Sequence, residues 1–313
     1  MKYAFFPGCS LESTAWDFAQ STRAVCRALG IELEEIPDWV CCGSTPAHTS
    51  SASLAVALPV LNLQKAQVSG QPVMTACASC YARLRTANHK VQHDAEERQR
   101  TERITGRPYD GSVAVHHLVD VLVNRFGVEA IRPKVTRPLA GLRVASYYGC
   151  LLSRPPEVVA FDNAEHPTCM DELVAAAGAE PIDWPYKTEC CGASLSMTDA
   201  SVVSRLGYKL LSMAQQAGAE CIVVACPLCQ MNLDLRQVDA RKIYGEINQM
   251  PVLYITQLLG LALGLSPEEL GLKALSVSAE SLWCGCRKAP ADKSGGAAMK
   301  PCCHASDCCG GEP

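Results

Sequence analysis

The chain has 313 residues, of which 48% are hydrophobic, and its 28 basic and 32 acidic side chains give a formal net charge of −4. This composition excludes a wholly disordered chain and offers no broad basic surface for nucleic acid. The opening residues MKYAFFPGCS lack the apolar run of a signal peptide, and no stretch reaches the roughly 18 apolar residues of a membrane span. We therefore expect a cytoplasmic protein without a transmembrane segment.

The predicted elements of the first half each lead to cysteines. Apolar and β-branched runs predict strands, and a period of 3.6 residues predicts helices. In chain order these are a strand over 2–6 before Cys9, a strand over 31–36 before Cys41-Cys42, a helix over 51–68 kinked at Pro59, a strand over 73–76 before Cys77-x-x-Cys80, and a helix from Tyr81.

The second half repeats this order. A strand over 143–148 precedes Cys150, the pair Cys190-Cys191 follows, and a strand over 222–225 precedes Cys226-x-x-Cys229 and a helix from Gln230. The step from the second cysteine of each pair to the next C-x-x-C is 35 residues in both halves. Such a periodicity indicates a duplicated unit.

The predicted topology brings the cysteines of each half together. Parallel strands of an open α/β sheet have their carboxyl ends at one edge, and ligands bind there. Each cysteine group follows a predicted strand, so residues spread over about 70 positions converge. The C-x-x-C groups are predicted to lie in strand-to-helix loops.

The number and spacing of the cysteines favour an iron–sulfur cluster. The chain has 19 cysteines, and disulfides are rare in a reducing compartment, so metal or redox chemistry is expected. A structural zinc takes four ligands, whereas each half offers five thiols, two of them adjacent with diverging side chains. The ferredoxin run C-x₂-C-x₂-C-x₃-C-P is absent. Zinc, a thioredoxin-like thiol pair and buried thiols without a ligand remain alternatives.

The repeated pattern resembles that of a known family. The two copies of the cysteine pattern, the opening FFPGCS, the segments CASCYARL and CPLCQMNLD, and the closing YITQLLGLALGLSPEELGL resemble the duplicated cysteine-rich CCG domains of the heterodisulfide reductase B subunit. The resemblance extends over about residues 1–272. It implies an α/β fold of two Rossmann-like CCG domains related by a pseudo-twofold axis, over 1–140 and 141–272, followed by a Cys-rich tail over 273–313.

The resemblance also implies the cofactors and the chemistry. It implies two non-cubane [4Fe-4S] clusters that together split a disulfide, each taking one sulfur, with no side-chain acid or base assigned. The implied ligand sets are Cys9, Cys41, Cys42, Cys77 and Cys80 for one cluster, and Cys150, Cys190, Cys191, Cys226 and Cys229 for the other.

Electrons are expected to come from other subunits. No G-x-G-x-x-G or Walker-type loop indicates a flavin, nicotinamide or nucleotide site. The resemblance implies that a ferredoxin-like C subunit donates the electrons and that a flavin-containing A subunit supplies that donor, in anaerobic metabolism. The substrate is expected to be a disulfide or a sulfur carrier. The alternative is an electron-relay subunit of a larger redox complex whose chemistry lies elsewhere.

The cysteine, tryptophan and histidine residues outside the two cysteine sets are mostly interpreted as structural. Cys26, Cys169 and Cys221 are expected to be buried thiols, Trp39 and Trp184 to shield the clusters, and His89 and His93 to lie on a solvated helix face. His116-His117 is interpreted as the start of a helix over 118–126. The tail supplies a possible extra metal site, made of Cys284, Cys286, Cys302, Cys303, His304, Cys308 and Cys309.

Overall fold

The structure is a computed structural model that describes residues 1–44, 46–159, 161–245 and 247–283. Buried apolar runs form short strands in both halves. The strands are β1 (Lys2–Phe5), β2 (Glu32–Glu35), β3 (Val73–Thr75), β4 (Val115–His117), β5 (Arg143–Tyr147), β6 (Glu180–Pro181), β7 (Cys221–Val224) and β8 (Val252–Tyr254). They form two parallel sheets of the same order, β2-β1-β3-β4 and β6-β5-β7-β8. The predicted duplicated α/β fold is confirmed.

Helices connect and cover the strands. They are α1 (Gly8–Leu11), α2 (Trp16–Leu29), α3 (Pro46–Ser50), α4 (Ala52–Ser69), α5 (Ala78–His93), α6 (Ala95–Thr105), α7 (Leu118–Asp120), α8 (Val128–Ile131), α9 (Pro156–Val159), α10 (Cys169–Ala176), α11 (Ala200–Gln216), α12 (Pro227–Asp234), α13 (Gln237–Tyr244) and α14 (Ile255–Ala262). A π-helical segment, Val121–Gly127, joins α7 to α8. Short 3₁₀ turns occupy Arg132–Lys134, Ala193–Leu195, Leu272–Ala274 and Glu280–Leu282.

Several predicted elements begin or end elsewhere. The helices after the C-x-x-C groups start at Ala78 and Pro227, so the second cysteine of each motif lies in the first helical turn rather than in a loop. Helix α4 continues through Pro59, and Ser51 Oγ accepts a hydrogen bond from the N–H of Leu54 at its start. Strands β4 and β8 were not predicted, because each runs directly into a helix without a turn between them, and β6 was not predicted because it has only two residues.

The last helical segment of each half packs against a helix of the other half. Helix α14 packs against α2, and the helical stretch from α7 to α8 packs against α10. Phe18 of α2 stacks on Tyr254 with ring centroids 3.9 Å apart, and the Ser21 and Thr256 hydroxyls lie 2.8 Å apart. Buried side chains of both halves consequently form one continuous core.

The packed part of the chain runs past the expected boundary at Leu272. Leu275, Val277 and Leu282 are buried. The Asp234 carboxylate accepts hydrogen bonds from the N–H groups of Ser276 at 2.7 Å and Val277 at 3.2 Å. The packed core therefore includes residues up to 283. The sequence did not indicate this, because the segment after Leu272 lacks periodicity and its contacts depend on tertiary packing. The tail residues from Cys284 to Cys309 that were considered as a possible metal site lie outside the described residues.

Candidate metal centre

Strands β1, β2 and β3 bring the first cysteine set to one sheet edge. Cys9 lies in α1 just after β1, Cys41 and Cys42 follow β2, and Cys77 and Cys80 follow β3. The Sγ atoms of Cys42 and Cys80 are 3.4 Å apart, and those of Cys9 and Cys41 are 4.0 Å apart.

The second set has the same arrangement. Cys150 follows β5, Cys190 and Cys191 follow β6, and Cys226 and Cys229 follow β7. The Sγ atoms of Cys191 and Cys229 are 3.7 Å apart, and those of Cys150 and Cys190 are 3.9 Å apart. Every sequence-predicted motif cysteine therefore lies beside another member of its own set.

The two sets meet in the interior. Cys77 of the first set and Cys226 of the second are both buried and lie near enough to shift each other's pKa, which is raised for Cys77 and lowered for Cys226. Cys9, Cys41 and Cys190 are instead exposed. The ten thiols thus form a group that is closed where the halves join and open to solvent at its outer edge.

Two glycines make room for the sulfur atoms. A Cβ atom on Gly8 would lie 2.8 Å from Cys80 Sγ, and one on Gly149 would lie 3.0 Å from Cys229 Sγ. Both glycines also have positive φ, +73° and +66°, which side chains other than glycine rarely adopt. Only glycine fits here without moving the cysteine.

The glycine after each cysteine pair provides a backbone donor. The N–H of Gly43 lies 3.4 Å from Cys41 Sγ, and the N–H of Gly192 lies 3.3 Å from Cys190 Sγ. Hydrogen bonds to sulfur stabilise thiolates and tune the potentials of metal centres that they bind. Neither N–H donor was predicted, although the glycine that follows each cysteine pair could have indicated it.

Each set contains cysteines whose pKa is lowered next to cysteines whose pKa is raised by their sulfur neighbours and by burial, such as Cys80 and Cys229. The pKa of Cys42 is lowered to about 3, mainly by the hydrogen bond from Cys41 and then by that from Cys80, with a smaller contribution from the charge of Arg83. The pKa of Cys190 is lowered to about 6, mainly by the hydrogen bond from Cys150. A positively charged metal group is the partner that such crowded thiols accept most readily.

The donor set fits clusters better than single ions. Within the part of the chain that the structure describes, no three Cys, His, Asp or Glu side chains converge on one point where a single metal ion could bind. The described cysteines are free thiols. A cluster distributes its thiolates over several irons, so its ligands need not converge on one point. Five sulfur donors per half and the sulfur-sized spaces beside the glycines agree with this chemistry.

The remaining predicted residues are distributed as follows. Cys26, Cys169 and Cys221 are buried, as expected, and none of the four sulfur–sulfur contacts given above involves them. His89 and His93 stack at 4.1 Å on an outer face of α5. Trp184 is buried and Trp39 is half-buried, and each lies beside the aromatic ring that flanks its cysteine set.

Sequence reasoning missed three neighbours of the cysteines. His117 is a buried strand residue whose Nε2 lies 2.9 Å from the carbonyl oxygen of Ala76, and burial lowers its pKa to about 4. The Asn232 amide donates to the Cys191 carbonyl oxygen at 3.1 Å and lies 3.7 Å from Cys191 Sγ. Arg83 occupies the position matching Asn232 in the first half. Alignment of the two C-x-x-C segments is the signal that could have found the last two.

Comparisons with known proteins agree with this architecture. The profile of the CCG family, described as a cysteine-rich domain, matches twice, at residues 3–85 and 144–234. A crystal structure of a hypothetical protein from Helicobacter pylori superposes with a TM-score of 0.71 at 14% identity, over 88% of this chain and 52% of that chain. The latter similarity concerns the fold alone.

Similar curated proteins are redox subunits. The B subunit of a ferredoxin/F(420)H(2)-dependent CoB-CoM heterodisulfide reductase from Methanosarcina acetivorans is 32% identical, over 87% of this chain and 92% of that protein. A protein from Archaeoglobus profundus that is named as similar to the heterodisulfide reductase B subunit is 32% identical, over 86% and 93%. An 8-methylmenaquinol:fumarate reductase membrane anchor subunit from Wolinella succinogenes is 34% identical, over 90% and 99%. Among the described residues here, no helix has the length and apolar character needed to cross a bilayer.

Proposed function

The chain belongs to the family of paired CCG cysteine-rich domains that includes the heterodisulfide reductase B subunit, and from this premise we propose that it is the disulfide-reducing subunit of a related complex. Family membership makes it an iron–sulfur redox subunit that works with other subunits. The observation that carries the finer proposal is the meeting of two complete cysteine sets at Cys77 and Cys226.

We assign each set to one non-cubane [4Fe-4S] cluster. Cys9, Cys41, Cys42, Cys77 and Cys80 would hold the first cluster, and Cys150, Cys190, Cys191, Cys226 and Cys229 the second. The clusters would supply one-electron chemistry and iron that can take up sulfur. Cleaving a disulfide needs two electrons, which is why two adjoining sites suit it.

The protein's own residues would position and enclose the reaction. Exposed Cys9, Cys41 and Cys190 mark the side from which a disulfide or a related sulfur compound would approach. The buried junction at Cys77 and Cys226 would keep the two sites close together and exclude water. A ferredoxin-like subunit would deliver electrons that it receives from a flavin-containing one, because no flavin or nicotinamide motif is present in this sequence.

The electron-relay alternative is favoured by one comparison. The relative from Wolinella succinogenes is a subunit of a quinol:fumarate reductase, in which the named substrates are a quinol and fumarate rather than a disulfide. In that role this chain would carry electrons between partner subunits. Its two cysteine sets would then serve transfer only.

Both functions are tested with protein purified without oxygen. We expect about eight irons per chain and reoxidation of a reduced low-potential dye when a disulfide is added. A variant lacking Cys226 and Cys229 should lose the disulfide-dependent rate, whereas Cys221→Ala, which removes a buried thiol of the adjacent strand, should retain it. Full activity in the double variant with only one cluster would contradict two-site cleavage. Electron transfer to partner subunits without any disulfide turnover would establish the relay instead.

A further inference from the structure

A cavity on the outer side of the first half is lined by basic side chains. It has a volume of about 450 Å³ and lies between α3, the beginning of α4 and the middle of α5. His48, Arg83 and Lys90 line it together with Ser51 and Thr86. No aspartate or glutamate contributes to its wall.

Two other surface cavities carry acids beside their basic residues. One contains Glu102 next to Arg103. In another, Lys2 pairs with Glu34 at 3.0 Å. The basic side chains in those cavities therefore have carboxylates beside them, which would compete with an anionic ligand.

The cations of the α5 cavity have no carboxylate in its wall, and the anionic group that Arg83 interacts with is the Cys42 thiol of the first set. Across the described ranges of the chain, neither Arg83 nor Lys90 forms an ion pair. The Nε of Arg83 is buried and has no hydrogen-bond partner among the residues that the structure describes. A buried guanidinium nitrogen without an acceptor costs free energy that a bound anion would recover.

The cavity lies away from the junction of the two halves. Arg83, Thr86 and Lys90 are spaced three and four residues apart and so share one face of α5. Tyr81 and Arg85 occupy the opposite face, where they donate to the carbonyl oxygens of Val159 and Val158 in the second half. The cavity is thus separate from the place where the cysteine sets meet.

We propose that this cavity binds a small organic molecule through a phosphate group held by Arg83 and Lys90. The guanidinium provides paired donors that match two oxygens of such a group, and the ammonium adds a second charge. Sites for small organic molecules usually have volumes of about 300–1,000 Å³, so this cavity has space for more than the oxyanion itself. The Thr86 hydroxyl lies in the same wall as a neutral donor.

The test is calorimetric titration of the full-length chain at low ionic strength. The probes are inorganic phosphate and β-glycerophosphate, which carry the same group with and without an organic part. We expect one site, with tighter binding of β-glycerophosphate. Arg83→Gln and Lys90→Gln should each weaken binding about tenfold, because each removes a charged hydrogen-bond donor. Arg83→Lys should retain part of the affinity.

Controls separate the cavity from general basic character and from misfolding. Arg103→Gln removes an arginine from the neighbouring helix α6, beside a cavity that contains Glu102, and should leave the affinity unchanged. Lys90 is exposed, so its replacement leaves the core intact if replacing Arg83 disturbs folding.

Three results would overturn the inference. These are absence of binding for both probes, equal affinity in wild type and the Arg83→Gln/Lys90→Gln double variant, and inorganic phosphate binding as tightly as the organic ester, which would mark a site for the free ion. Binding is read without disulfide or turnover, so its failure leaves the proposed disulfide chemistry standing, and the reverse also holds.

Discussion

Three residues after the last cysteine of each set, the first half has Arg83 and the second half has Asn232. Arg83 brings a positive charge that contributes to the lowered pKa of Cys42. Asn232 brings a neutral amide that lies 3.7 Å from Cys191 Sγ. Duplication has therefore kept the sulfur positions and changed the charge beside them.

The aromatic residue before each set also differs. Phe6 lies two residues before Gly8, and Tyr147 lies two residues before Gly149. The Tyr147 hydroxyl donates to the carbonyl oxygen of Glu189 at 2.7 Å, a hydrogen bond that a phenylalanine cannot make. The first site thus has a basic side chain and a phenylalanine ring where the second has a neutral amide and a tethered tyrosine ring. Two copies of one ligand pattern in the same chain therefore need not behave alike.

The largest expected effect comes from removing one buried cysteine from either set. Cys42→Ala and Cys191→Ala should each lose about four of eight irons, because each removes a ligand from one proposed cluster only. Iron analysis and electron paramagnetic resonance of the remaining signal measure the loss. Cys26→Ala, a buried thiol outside the sets, serves as the control and should keep its full iron content. Loss of all iron in either single variant would show that the two halves bind metal as one unit.

Gly8 and Gly149 allow the space beside the cysteine sulfur atoms to be compared between the two halves. Gly8→Ala and Gly149→Ala should lower the free energy of unfolding by about 2–4 kcal/mol, with the larger effect at Gly8, because its Cβ would lie closer to sulfur. Gly30→Ala is the matched control. Gly30 has a φ of +79° with nothing within 4 Å of the added Cβ, so only the backbone cost of about 1 kcal/mol is expected.

Denaturant unfolding of the three glycine variants measures these differences. If Gly8→Ala costs no more than Gly30→Ala, the space beside Cys80 is not limiting. Iron content of the same variants then shows whether the space matters for the metal or only for the fold.

Local sequence patterns predicted many of the strands and helices, whereas contacts between residues far apart in the sequence were not predicted. The strands before Cys9 and Cys150 were predictable because buried apolar runs end at glycines there. Strands β4 and β8 were not predicted because each runs directly into a helix, with no turn residues to mark where the strand ends. The junction of Cys77 with Cys226 depends on how the two halves pack, which no spacing within one half specifies. The contacts of Asp234 with the segment after Leu272 escaped for the same reason.

Burial raises the pKa of one carboxyl group near the start of α2 and of another in α10, the helices that pack against the other half, but only one of them has a cation partner. In α2, Asp17 accepts from the Gln257 amide at 3.1 Å, and within the described chain it has no cation at ion-pair distance. Burial raises the pKa of Asp17 to about 6. In α10, Asp171 is instead paired with Lys187 at 2.7 Å.

The raised pKa of Asp17 sets the direction of the effect. In the folded protein Asp17 holds its proton up to about pH 6, whereas in the unfolded chain it loses the proton near pH 4. Its contribution is therefore most favourable below pH 4 and is lost as the pH rises to 6. We expect Asp17→Asn to remove about 1–3 kcal/mol of this decline, measured by denaturant unfolding at pH 4 and pH 7. An unchanged difference between the two pH values would show that the fold does not raise the pKa of Asp17.

The smallest effect addresses the charge difference directly. If Arg83 stabilises the added electron of the cluster proposed for the first set, Arg83→Gln should lower its midpoint potential by about 30–60 mV, and Arg83→Lys should preserve most of it. The second cluster, beside Asn232, should stay unchanged, because its neighbour is a neutral amide on its own helix. A redox titration followed by electron paramagnetic resonance separates the two signals and is independent of disulfide turnover. Equal shifts of both signals would mean that Arg83 acts on the whole protein rather than on Cys42 and its set. The two sites would then have to differ for another reason. Tyr147→Phe, which removes the hydroxyl that tethers the ring, would be the next variant to measure.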